Sequence, residues 1–154
     1  MLPKALALAL ASTLLLGAIA FAQDTPTVVV DPAIATMTND QLVQARKDAM
    51  KQNGMTLRGA AQLSGPEAVA AATVLLQNFV NLPALFKEGS ITPDSKALPV
   101  IWEKWDDFKA LLDAGAASAA KALAAATAGD AATYAAALDE IGKSCGSCHS
   151  QYRG

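Results

Sequence analysis

Beyond residue 38, bulky apolar residues recur at spacings of three and four, separated by polar or alanine positions. That period gathers them on one side of a helix. Ile101, Trp105, Phe108 and Leu112 show it most plainly. Helix punctuation divides the periodic stretches. Thr38 and Gln41 have the spacing of a capping box, in which hydroxyl and amide each satisfy a free backbone N–H. A first helix is predicted from there to about Leu63. Ser64 and Glu67 repeat the box, with Pro66 where its missing N–H costs little. A second helix follows to about Phe86, with Pro83 set to tighten or bend its last turns. Residues 87–98 hold Gly89, Ser90, Pro93, Asp94 and Ser95 and are predicted as a loop. Pro99 opens a third helix to about Ala128. Gly129-Asp130 is a stop followed by a new N-cap, and a fourth helix runs to about Tyr152. Strand signals are thin: Val28-Val29-Val30, ended by Asp31-Pro32, reads as an extended arm. The expected fold class is all-α, an antiparallel four-helix bundle, because two of its three connections are short.

The start of the chain has a different pattern. Lys4 precedes a charge-free apolar run from Ala5 to Ala20, and Ala20-Phe21-Ala22 is a cleavage sequence of the A-x-A kind. Residues 1–22 are predicted as a cleaved secretory signal, 23–37 as the extended arm and 38–154 as the bundle. No later run is read as both long and apolar enough to span a membrane; the stretch 116–128 is interrupted by Ser118, Lys121 and Thr127. The expected location is the periplasm.

Composition adds one puzzle and one exclusion. Of 154 residues, 35 are alanine and 5% are aromatic. Alanine favours helix but is small, so such a core is not expected to fill itself to normal density. The formal net charge is −2, or −3 once Lys4 is cleaved away, since 11 cations then face 14 carboxylates. An acidic chain poor in aromatics is a poor binder of nucleic acid. Its net charge by itself favours protein partners with basic patches.

The candidate chemistry lies near the C-terminus. Cys145-Gly-Ser-Cys148-His149 is C-x-x-C-H, the attachment sequence of haem c. Residues three and four apart share a helix face. The two thiols can thus bond the vinyl groups of one porphyrin, while His149 places an imidazole on the iron. A zinc site needs about four ligands, and His149 is the only histidine. A thioredoxin-like pair expects a βαβ setting, which is absent. A disulfide would leave His149 without a role. No nucleophile elbow, P-loop, H-E-x-x-H or paired carboxylates are present, so no enzymatic activity is expected.

With this motif at the end of a bundle, the chain resembles the class II cytochromes c, which comprise the cytochromes c′ and the low-spin cytochromes c-556. The resemblance rests on Arg46-Lys-Asp-Ala-Met50-Lys51-Gln-Asn-Gly54, Leu82-Pro83-Ala-Leu-Phe86, Ala97-Leu-Pro99-Val-Ile-Trp102, and Ile141-Gly142 through Cys145, Cys148 and His149 to Tyr152-Arg153. It implies one covalent haem c between the helices near one end of the bundle. It also implies that Met50, four residues after Arg46, faces the distal side of the haem. In the c-556 branch that residue is a coordinating methionine; in cytochromes c′ it is usually an apolar plug over a five-coordinate iron. Met50 is expected to ligate iron, with a plug or an ordinary core methionine as the alternatives. Met55 lies roughly 140° from it around the helix and cannot share its role, and Met37 precedes the helix. By the same resemblance Arg46 is expected at a haem propionate, against the alternative of a solvated arginine. Arg153 is expected beside His149, against the alternative of simple compensation at a helix C-terminus. Gly54 and Gly142 are expected either to admit the porphyrin or to lie in helix contacts. Trp102 and Trp105 are expected to pack. The implied function is single-electron transfer with periplasmic redox partner proteins. The alternative is a high-spin protein that binds nitric oxide or carbon monoxide. Homodimers through the first two helices are common in the family.

Overall fold

The computed structural model describes residues 27–154, so the expected signal segment lies outside the described residues. The helices are α1 (Asn39–Ala60), α2 (Gly65–Leu85), a single turn α3 (Val100–Glu103), α4 (Trp105–Ala128) and α5 (Ala131–Tyr152). Four of them are long and run up, down, up and down.

The ends of these helices follow local chemistry, with two departures from expectation. Thr38 Oγ1 accepts from Gln41 N at 3.3 Å, and Gln41 Oε1 accepts from Thr38 N at 2.8 Å, completing the first capping box. Gly129 takes φ +71°, and Asp130 N donates to Ala125 O at 2.9 Å. Asp130 Oδ1 then caps α5 by accepting from Thr133 N at 3.0 Å. Stop and restart are thus two adjacent residues, which forces α4 and α5 antiparallel. The second box does not form: Ser64 makes no side-chain cap bond. Gly65 enters the helix at φ +53°, which turns the first N–H groups away from the hydroxyl. The third predicted helix is also broken. Lys104 sits at φ −124°, ψ 47°, separating α3 from α4. The break lets Trp102 Nε1 donate to Phe86 O at 3.0 Å while Trp105 tilts onto Phe108, ring centres 5.9 Å apart.

The segment before α1 is less extended than expected. Pro32–Thr36 coil into a 3-10 turn, started by Asp31 Oδ1 accepting from Ala33 N at 2.9 Å. Ile34 is buried there. Asp31 N donates to Asn81 Oδ1 and Gln77 Nε2 donates to Val29 O, so the arm follows α2.

In the bundle, α2 packs against α1 and α4, and α4 packs against α5, but α1 and α5 scarcely touch. Leu75, Leu82, Leu123 and Ile141 are fully buried, each contributing about 1.5–3 kcal/mol. By length and composition α2 would suffice to cross a membrane. This corrects the expectation that no later run is long and apolar enough, but Leu75, Phe79 and Leu82 of α2 lie in the core. Ala60, Ala68, Ala72, Ala119, Ala122 and Ala137 are buried to 2% exposure or less. They bring helix backbones close together rather than leaving room. At Gly115 the approach is closer still: a Cβ there would enter the ring of Phe79. The expectation that alanine opens the core is therefore reversed.

Candidate haem-binding site

The bulky aromatics collect at the other end of the bundle. Phe86 meets Phe108 edge to face, centres 4.8 Å apart, and Phe108 meets Tyr152 at 5.1 Å. This cluster joins the end of α2, the start of α4 and the end of α5. It forms the floor of a cavity of about 430 Å³ in the seam where α1 and α5 fail to meet. Phe86, Ile101, Phe108 and Tyr152 supply apolar walls. A haem would thus be enclosed mainly by aromatic and branched side chains, with Ala97 as the alanine of the lining.

Both faces of the cavity carry iron-ligand chemistry. His149 and Cys148 line it from α5, and Met50 lines it from α1. Cys145 lies one turn before His149, half-buried against the core, though off the cavity wall. Burial pushes the Cys145 thiol above its usual range; Cys148 is pushed up by burial and by the neighbouring Cys145. Burial first, and then the charge of Arg153, lower the pKa of His149. Both keep its imidazole neutral, the form that offers a lone pair to a metal. Among the methionines, Met55 is 50% exposed and Met37 lines a separate groove beside Ile34. Among the described methionines, Met50 is the one that shares a cavity with His149. Two thiols a turn apart, a neutral imidazole, a thioether on the facing wall and apolar sides suit haem c.

Arg46 is far from a solvated surface arginine, being 4% exposed. Nη1 donates to Leu85 O at 3.3 Å and Ser90 Oγ at 2.8 Å. Nη2 donates to Ser90 O at 2.6 Å and Ser95 Oγ at 2.9 Å. Its guanidinium also lies 4.8 Å over the Phe86 ring. Arg46 therefore clamps the 86–99 connection to α1, a role that sequence separation concealed. Nε–H is the one N–H of the guanidinium that makes no hydrogen bond among the described residues. Arg153 lines the same cavity and is exposed. Its backbone pairs with Ala97, and Leu98 N donates to Tyr152 O while Gly154 N donates to Lys96 O. The connection is thus fastened to α1 on one side and to the end of α5 on the other. A Cβ at Gly54 or Gly142 would meet nothing within 4 Å, so neither glycine serves a helix contact.

An antiparallel bundle with C-x-x-C-H on its last helix and an apolar cavity over that histidine defines a c-type haem protein of the bundle class. The family model for cytochrome c′ matches residues 36–153, and the chain belongs to that family, whose members bind haem c. It is 40% identical over 118 residues to cytochrome c-556 of Agrobacterium tumefaciens (strain II Chrys), covering 72% of this chain and 95% of that protein. It is equally 40% identical over 116 residues to cytochrome c′ of Pararhodospirillum photometricum, covering 73% and 90%. A nitrosyl complex of a cytochrome c prime variant from Alcaligenes xylosoxidans superposes with TM-score 0.65 at 28% identity, covering 76% of this chain and 98% of that one.

Proposed function

We propose that the protein is a periplasmic carrier of single electrons whose haem c is held by Cys145, Cys148, His149 and Met50. The observation that carries this reading is the shared cavity of Met50 and His149. When bound, the haem supplies one-electron chemistry between the ferric and ferrous states of its iron. Cys145 and Cys148 anchor it through thioethers. His149, kept neutral by its surroundings, would supply an imidazole nitrogen to the iron. Met50 would supply a soft thioether sulfur, and a His/Met pair raises the potential. Phe86, Ile101 and Phe108 exclude water from the inner side. Arg46 Nε–H and Arg153 would hold the haem propionates through charge-assisted hydrogen bonds.

A second reading has a specific observation in its favour. The Alcaligenes xylosoxidans relative is described as a nitrosyl complex. If Met50 only plugs the cavity, this protein binds a diatomic gas on an open iron instead. The absorption spectrum of the holoprotein separates the two. We expect a low-spin spectrum with a methionine-to-iron band, converted to high-spin by Met50→Ala. A high-spin native spectrum that changes at once with carbon monoxide would overturn Met50 ligation and leave the gas-binding reading.

A further inference from the structure

The charges of this protein are unevenly placed. Over the whole chain 14 carboxylates outnumber 12 cations. Around the cavity the order reverses: Arg46, Lys47, Lys51, Lys96 and Arg153 line it, and no carboxylate does. The ion pairs among the described residues use Lys109, Lys121 and Lys143, all away from the cavity. Lys47, Lys51, Lys96 and Arg153 are exposed, and none has an ion-pair partner among the described residues.

These cations come from three parts of the fold. Lys47 and Lys51 lie one turn apart on α1 and are neighbours there. Lys96 belongs to the connection, and Arg153 follows α5. The Ala97–Arg153 bridge and the 2.9 Å bond from Gly154 N to Lys96 O fix the last two relative to each other. The ring is therefore held by backbone geometry. A haem brings two propionates, so five cations leave an excess of three. Like charges gathered on one mouth repel each other unless something opposes them.

Distance decides between this local excess and the negative total. Screening at physiological salt acts over about 8 Å, well below the span of a 20-residue helix at about 30 Å. A partner at the mouth feels the ring, while distant carboxylates are largely screened. We propose that Lys47, Lys51 and Lys96 form a docking surface for the acidic face of a redox partner protein. This rests on the electron-carrier reading and reverses the partner charge that net composition alone favours.

The test follows oxidation of the reduced holoprotein by stopped flow, each event passing one electron to the oxidant. Hexacyanoferrate(III) serves as the anionic probe and tris(phenanthroline)cobalt(III) as the cationic one, each compared with itself across salt concentration. The ring predicts that the anionic probe slows as salt rises. It also predicts that Lys47→Glu/Lys51→Glu/Lys96→Glu slows that probe roughly tenfold at low salt and speeds the cationic one. The Lys→Gln triple variant should fall between, and retention of the wild-type absorption spectrum checks folding. An anionic rate that rises with salt would overturn the proposal. So would variants that leave both probes unchanged, since the cations would then serve the propionates alone. If neither probe oxidises the protein, the carrier reading fails. Polyglutamate binding then judges the ring separately: salt-sensitive binding lost in the Glu variant supports it, and no binding overturns it.

Discussion

Arg46→Ala isolates the clamp between α1 and the 86–99 connection. Four hydrogen bonds disappear, but their loss is unequal. Ser90 Oγ keeps its bond to Lys87 O at 2.6 Å, and Ser95 Oγ keeps Ala97 N at 3.1 Å. The carbonyls of Leu85 and Ser90 lose a charged donor, and Ser90 is fully buried. Leaving a buried acceptor unmade costs about 1–3 kcal/mol. The contact over Phe86 adds about 0.5–1 kcal/mol. Against this, the variant no longer buries a guanidinium, whose pKa is lowered by that burial. The balance is a loss of about 2–4 kcal/mol. Arg46→Lys keeps the charge but has no planar fork, and should recover less than half of it. Guanidinium chloride titration of the holoprotein, followed by circular dichroism, measures the loss. Limited proteolysis within residues 87–98 reports whether the connection is released. A loss below about 1 kcal/mol, with the loop still resistant, would refute the clamp.

Three further outcomes test the fold around the site. Tyr134 is 3% exposed and its hydroxyl has no hydrogen-bond partner, so Tyr134→Phe should stabilise by about 1 kcal/mol in thermal melts. Burial raises its pKa above 10.0; its contribution is intact below about pH 10 and falls as pH rises toward the folded-state value, so the variant should resist alkaline unfolding better. Gly115→Ala gains about 1 kcal/mol of helix propensity but drives a Cβ into Phe79, costing about 1–3 kcal/mol or more. It should destabilise, whereas Gly59→Ala, with open space around it, should stabilise by about 0.5–1 kcal/mol; the same sign for both would sink the packing account. Removing the haem should abolish the sharp thermal transition, and an apo chain melting as cooperatively as the holoprotein would refute that dependence.

Sequence carried far where the chemistry is local. The Thr38 box, the Gly129-Asp130 restart and the C-x-x-C-H spacing each need only a few neighbouring residues, and each was readable. The Ser64 box was not, because a left-handed Gly65 next to it turns the donors away. The break at Lys104 depends on what two indoles touch across the bundle. Arg46 was legible as a residue of the site, but its clamp joins positions 39 to 49 apart in sequence. The cationic mouth escaped for the same reason, since positions 47, 96 and 153 meet only once the chain folds. Alanine content by itself suggests missing volume; at this end of the bundle the space comes from one seam left unpaired.

That seam divides the molecule by its source of protection. The contacts of α2 with α1 and α4, and of α4 with α5, are made by protein alone. Across the gap between α1 and α5 the fourth side of the bundle is left to the prosthetic group. In amide exchange of the apo protein, the inner faces of α2 and α4 should lose protection last, while Arg46–Asn53 and the last turns of α5 exchange first. Cofactor loading is then written into the molecule as a map of which hydrogens are held.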